Sequence, residues 1–438
     1  MFGYYLDLAL RSFTRNKILT ALMILTIGFG VAASMTTWTL FRAVSGDPIP
    51  RKSSELFVPQ IDMWGPSAQK DNPGQGKGPP NQLDYDDAMA LMRDHRADLQ
   101  SAIYAIQPSV VPADPAKHPI NVSGYAVFSE FFQMLDVPFA YGSGWSAADD
   151  VHRAHMAVIS GELNRQVFGG GDSVGNTLNI EGQNYRVIGV LGDWNPQPIY
   201  YDVPDTGGFF EQDERVFVPF NTAIAAAMPN SGSASCFKVQ AQKGFVGLQR
   251  SSCVWIAYMA QLDTAAAVQR YRNYLESFAR ERYPAWAPNI RLRDLMAWLD
   301  YEQVVPPDTK ISLLVALGLL LVCLVNTAGL LLAKFMRRSA EIGVRRALGA
   351  PRSAIHAQFL TESGTIGLAG GLLGLLLTWV GIAGIGLVMP RDIADLAHLD
   401  RSLLLTTLSV GIVASLVTAL YPTLRAARVQ PAWQLKSN

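Results

Sequence analysis

Charge is scarce in this 438-residue chain: 36 basic and 36 acidic side chains make up 16% of it and cancel to zero. With no excess of positive charge, nothing in the composition favours nucleic acid as a partner. Cysteine is scarcer still. Only Cys236, Cys253 and Cys323 occur, which excludes a disulfide-dense scaffold. A phosphate-cradling loop is missing: Gly169-Gly170-Gly171 is followed by Asp172-Ser173, Gly76-Lys77 by Gly78, and no G-x-x-x-x-G-K-[ST] occurs, so the chain has no recognisable nucleotide site. Catalytic constellations are equally thin. His152 and His155 stand three apart beside Asp149 and Asp150, a spacing that can serve a metal, but they read as solvated loop histidines and no metal site is expected. Ser160-Gly161 lacks the flanks of a nucleophile elbow. No catalytic residue, and no enzymatic activity, is expected on this chain.

What is abundant is uncharged apolar sequence. Residues 18–41, 311–333, 364–389 and 402–421 contain no Asp, Glu, Lys or Arg, and each is long enough to cross a bilayer core, which takes about 20 residues of helix. Ion- or proton-coupled transport needs ionisable groups inside such spans. Their absence here means that energy for any work arrives from elsewhere. Twelve of the 36 basic residues flank the spans in segments 1–17, 334–363 and 422–438, with only Asp7, Glu341 and Glu362 of the acidic ones. These three segments, and hence both termini, are therefore expected to be cytoplasmic. The remainder, residues 42–310 and a short loop at 390–401, keeps 24 basic and 33 acidic residues. Val31-Ala32-Ala33 resembles a signal-peptide processing site, but the uncharged run continues to Phe41 and reads as an anchor.

Along the chain, Phe2, Tyr5, Leu6, Ala9 and Phe13 fall on one helical face of segment 1–17, as in a helix lying at the membrane surface. Gly28 and Gly30 permit close helix approach in the first span. The Pro- and Gly-rich segment 62–80 reads as a loop, and 81–99 as helical. Strands are expected at 101–111, 120–128 and 156–160, helices at 130–135, 162–168 and 265–280, and a hairpin over 177–191 turning at Glu181-Gly182. Residues 42–310 thus form an α+β domain between the first and second of four membrane helices. A helix is expected at 291–303, interrupted by Pro306 and Pro307. The aromatic segment 194–217 either packs on the core or forms a binding loop. Cys236 and Cys253 lie in this exterior domain, where they are either bridged or two buried thiols. In the third span, Gly367 with Gly371 and Gly370 with Gly374 form small-residue pairs, suited to packing against a second copy or another span of the same chain.

The most basic stretch, RRSAEIGVRRALGAP at 337–351, reads as a short helix with a stop. Glu341 and Arg345 are spaced for an i,i+4 pair. Gly349 suits a left-handed cap, and Pro351 cannot continue the same helix. The sequence E-I-G-V-R-R-A-L-G-A within it resembles the signature of MacB/FtsX-type ABC transporter permeases. Tyr421-Pro422-Thr423-Leu424-Arg425-Ala426-Ala427 and the following residues are similar to the family's closing pattern, with Thr423 where Ala is usual. Residues 156–191 resemble its extracytoplasmic core.

The resemblance implies a bacterial inner-membrane permease coupled to a separate ABC ATPase dimer, which binds the ATP and Mg; this chain itself carries no cofactor. It also implies a second permease copy or paralogue and, for efflux, a periplasmic adaptor and outer-membrane channel. The 337–351 stretch would be the coupling helix: Glu341, Arg345 and Arg346 orienting the ATPase contact, Ile342 and Leu348 filling its groove, Gly343 and Gly349 allowing close approach. A non-transport scaffold that regulates an envelope hydrolase or sensor is the alternative.

Overall fold

The computed structural model describes residues 8, 12–13, 16–66, 78–112, 118–196, 198–206, 215–237, 242–305, 307–388 and 401–427. The chain divides into two compact units, one of residues 1–45 and 305–438, the other of residues 46–304. Most of segment 1–17, part of the 62–80 loop, Pro306, Phe209, Phe210, all of the 390–401 loop except Arg401, and the tail from 428 lie outside the described residues.

The uncharged runs become four long helices, Lys17–Ser45, Pro307–Met336, Arg352–Val388 and Arg401–Ala427. All are long and apolar enough to cross a membrane. Their threonine hydroxyls donate back to carbonyls one turn earlier, as Thr26 does to Leu22, Thr327 to Cys323 and Thr378 to Gly374, so these polar groups need no water. Met23, Ile27, Val31 and Met35 form a buried stripe on the first helix at the four-residue spacing of one helical face.

The glycines of the third helix serve two different neighbours. A Cβ at Gly370 would stand 2.7 Å from Ile27, and one at Gly374 3.0 Å from Val31, both on the first helix. Gly367 faces Ser415 and Gly411, and Gly371 faces Leu408, all on the fourth. These positions pack within the chain, letting backbones approach where lipid provides no hydrophobic drive for association.

The second unit is built on a twelve-stranded sheet. Its strands are β1 (Leu56–Ile61), β2 (Leu99–Ile106), β3 (Ser109–Val111), β4 (Ile120–Asn121), β5 (Ser123–Val127), β6 (Phe139–Gly142), β7 (Met156–Ile159), β8 (Thr177–Ile180), β9 (Gln183–Leu191), β10 (Arg215–Pro219), β11 (Ala257–Gln261) and β12 (Ile290–Asp294). The order is β12-β1-β11-β2-β5-β10-β7-β9-β8-β3-β4, with β6 on β9. The pairs β5/β10 and β7/β9 are parallel, and the others antiparallel.

Both faces of this sheet are covered. Ala102, Tyr104, Val216 and Val218 enter one apolar cluster, while Ile103, Ala105, Tyr125 and Phe217 enter the other. That is why the central strands read as continuous apolar runs rather than alternating ones. Glu181 and Gly182 turn the β8–β9 hairpin with φ of 50° and 78°, the positive values that a tight primed turn requires. Tyr200 and Tyr201 are buried in the second cluster, so the described part of the 194–217 aromatic segment belongs to the core.

Two expected helices are shorter than the sequence suggests. In 81–99 the helix runs only from Tyr85 to Asp94, ended by His95 at φ 46°, and Leu99 already opens β2. In 291–303, β12 comes first and the helix Leu295–Tyr301 follows, capped by Asp294. The alternation Ile290, Leu292 against Arg291, Arg293 has the two-residue period of a strand.

Candidate functional site

The elbow forms a helix, Ser339–Ala347, between the second and third long helices. Gly349 has φ 96° and the Ala350 amide donates to the Arg345 carbonyl at 3.1 Å, the wrapped end expected when glycine takes the left-handed position. The chain re-enters helix at Arg352.

Glu341 accepts from Arg345 at 2.9 Å. Arg345 also donates to Gln358 at 3.0 Å, tying the elbow to the third helix. Behind this half-exposed pair lies a buried chain of charges. Arg338 reaches Glu341 at 3.3 Å and Glu362 at 3.1 Å. Lys334 meets the other oxygen of Glu362 at 2.7 Å, and their side chains are 0% and 1% exposed. The Lys334 ammonium also donates to Thr20 at 3.1 Å and stands 5.7 Å from the Phe13 ring, while the Ser12 hydroxyl donates to Glu362.

Glu362 is thus the hub. It joins the third long helix to the end of the second through Lys334 and Arg338, and to the segment before the first through Ser12. A buried charge of this kind is tolerable only when paired and hydrogen-bonded, and each Glu362 oxygen has a cationic partner. Ser12, Thr20, Lys334, Arg338, Gln358 and Glu362 do not stand out in the sequence as site residues. The available signal is spacing: Gln358 and Glu362 are four apart on one face of the third long helix.

The elbow has an inner and an outer face. Ile342 is buried against Phe335, Ile355 and Phe359, and Gly343 is buried as well. Ile342, expected to fill a partner's groove, lies in the unit's own core cluster. Outward face Val344 and Leu348, 57% and 83% exposed, together with the open, uncrowded Gly349. Arg346 belongs to the helix, but its side chain lies outside the described residues. The outer face is a small apolar patch beside Arg345, held from within by salt bridges.

The second unit holds the remaining sequence candidates. Cys236 and Cys253 are joined, with Cα atoms 4.2 Å apart, and the neighbouring Ser235 and Val254 exchange backbone hydrogen bonds. The Ser160 hydroxyl caps the helix Gly161–Phe168 by accepting from Leu163, and accepts from Arg215 too. Among the described residues, no three His, Cys, Asp or Glu side chains gather to hold a metal ion.

Four apolar helices, a basic helical elbow between the middle two and a separate two-faced α+β unit define a multi-pass membrane permease. Residues 20–276 match the MacB-like periplasmic core domain, and residues 313–431 the FtsX-like permease C-terminal region. The chain belongs to the MacB/FtsX-type family of ABC transporter permeases, proteins of the inner membrane.

It is 25% identical over 455 residues to the macrolide export ATP-binding/permease protein MacB of Chlorobium luteolum, covering 99% of this chain and 60% of that protein. It is also 25% identical over 312 residues to the pyoverdine export ATP-binding/permease protein PvdT of Pseudomonas syringae, covering 71% and 42%. The chain thus spans 60% or less of the length of these relatives. The periplasmic region of MacB from Actinobacillus actinomycetemcomitans aligns with a TM-score of 0.37 and 11% identity, over 59% of this chain and 96% of that one.

Proposed function

We propose that this chain couples ATP hydrolysis on an ABC ATPase dimer to movement of its 46–304 unit on the far side of the membrane, for efflux or envelope export. The termini and elbow face the cytosol in this reading, as the distribution of Lys and Arg supports. The observation that carries it is the two-sided elbow. Val344 and Leu348 are available to a partner, while the Arg338–Glu362–Lys334 chain grips the long helices behind them.

A push on the outer face is therefore not absorbed by loop flexibility. It passes through ion pairs to the ends of the second and third helices together. The permease works as one of a pair, and the ATP and Mg belong to the ATPases. For efflux, a periplasmic adaptor and outer-membrane channel would complete the path.

Replacing Leu348 with Asp puts a carboxylate into the patch while leaving the buried ion chain intact. The amount of permease in the membrane is expected to stay unchanged and retention of the ATPase in a pull-down to fall about tenfold, the scale of losing one interface anchor. The double substitution Arg345→Glu and Arg346→Glu should act in the same direction. Undiminished retention in both variants would remove the elbow from the interface.

A further inference from the structure

The run Met89-Ala90-Leu91-Met92-Arg93-Asp94-His95 repeats a soft or nitrogen donor every third residue. The helix Tyr85–Asp94 buries Ala88 and Leu91, and its three-residue spacing sets Met89 and Met92 as neighbours on one side. His95 ends the helix at φ 46°. All three side chains line one cavity of about 370 Å³ within the 46–304 unit, together with Phe128 and Val151. Met89 and Met92 are half-buried against the first apolar cluster, while His95 is exposed, so an ion can reach the set from solvent.

The imidazole is held. Its Nε2 meets Glu130 at 2.7 Å, and the other Glu130 oxygen accepts from the Gln100 amide at 2.7 Å. A carboxylate only accepts, so in the neutral ring the proton sits on Nε2 and Nδ1 keeps its lone pair. This carboxylate support of the second ring nitrogen is the usual setting of a metal-binding histidine.

We propose that Met89, Met92 and His95 form a three-donor site for Cu(I), with Glu130 orienting the imidazole. Two thioethers and one imidazole are soft donors that select Cu(I) over zinc, calcium or magnesium. Cys236 and Cys253 are joined, and the third cysteine of the chain lies at position 323, so thioethers are the soft donors left to this unit. Arg93, Glu130 and Asp150 also line the cavity, and their formal charges leave a single negative charge, which a monovalent ion neutralises. Packing alone would be served as well by leucine as by methionine. The site concerns the 46–304 unit by itself and does not depend on ATPase coupling.

The test uses the purified full-length chain in detergent, with Cys323→Ala to remove the free thiol. Copper is kept as Cu(I) by ascorbate and competed with bathocuproine disulfonate. One ion is expected per chain, with sulfur and nitrogen neighbours in its X-ray absorption spectrum. Met89→Leu and Met92→Leu should each weaken retention about tenfold or more, and Glu130→Gln about tenfold, the scale of disturbing a metal's supporting shell. Met296→Leu, at a partly exposed position in another helix of the same unit, should leave retention unchanged.

Copper should also raise the melting temperature of the parent chain and not that of the Met89→Leu, Met92→Leu double variant, whose copper-free melting should match the parent's. Failure of the parent chain to hold Cu(I) against the chelator, equal retention by the double variant, or zinc held as tightly as Cu(I) would each overturn the proposal.

Discussion

Glu362 illustrates how a single buried carboxylate can organise an entire end of a helical bundle. Both its oxygens meet cations, at 2.7 Å from Lys334 and 3.1 Å from Arg338. Replacing both members of a buried ion pair with apolar groups of similar shape is often neutral, whereas removing one strands the other charge at about 3–5 kcal/mol. Glu362→Gln is therefore expected to lower the thermal stability of the detergent-solubilised chain sharply. The charge-free pair Lys334→Met with Glu362→Leu should recover much of that loss. Equal destabilisation by the single and double variants would mean that Lys334 and Glu362 are not energetically coupled.

These residues also mark where sequence reading stops short. Ending each span at its first charge places Lys334 and Glu362 in a solvated cytoplasmic segment. The structure carries the second helix through Lys334 to Met336 and begins the third at Arg352, ahead of Glu362. Charges that neutralise each other across helices leave no trace in a hydropathy pattern, because the information lies in a contact between positions far apart in the chain.

Among individual elements, the elbow is legible because its signals are local: an acid and base four apart, a glycine at the cap and a proline after it. The division between its inner and outer faces is not, since the burial of Ile342 depends on Phe335, Ile355 and Phe359 beside it. The unit β12–Leu295–Tyr301 is the converse case. Its alternating Ile290, Leu292 pattern and its Asp294 cap are present in the sequence, yet a single helix is the expectation.

This last element also carries a pH-dependent prediction. Glu302, at the C-terminal cap of that helix, has its carboxyl pushed up to about 7 by burial, against the opposing attraction of Arg293. One of its oxygens finds no hydrogen-bond partner among the described residues, and negative charge at a helix C-terminus is itself unfavourable. A carboxyl raised on folding supports the folded state below its unfolded value, 4.5, and that support is lost as pH rises through about 7. In the full-length chain, melting of the 46–304 unit should fall in temperature between about pH 5 and pH 8, and Glu302→Gln should flatten that fall and raise stability at the alkaline end. An unchanged pH slope in the variant would show that Glu302 is not the group responsible.

At the scale of the whole molecule, apolar composition and the placement of Lys and Arg are enough to read a four-helix membrane part and an α+β unit lying between its first and second helices in chain order. Their physical origin is global: uncharged runs of sufficient length have few alternatives to a bilayer. Strand order is not readable in the same way, because the neighbours β5 and β10 are separated by much of the unit's sequence. The functional account depends on the two ends of the mechanism, elbow and α+β unit, lying on opposite sides of the membrane.

That arrangement can be measured with a membrane-impermeant maleimide, applied to full-length chains carrying Cys323→Ala and one new cysteine at either of two exposed positions, Val151 or Leu348. Labelling is expected at Val151 in intact spheroplasts, and at Leu348 only when the cytosolic face is opened in inverted vesicles. Labelling of both from the same side would contradict that arrangement.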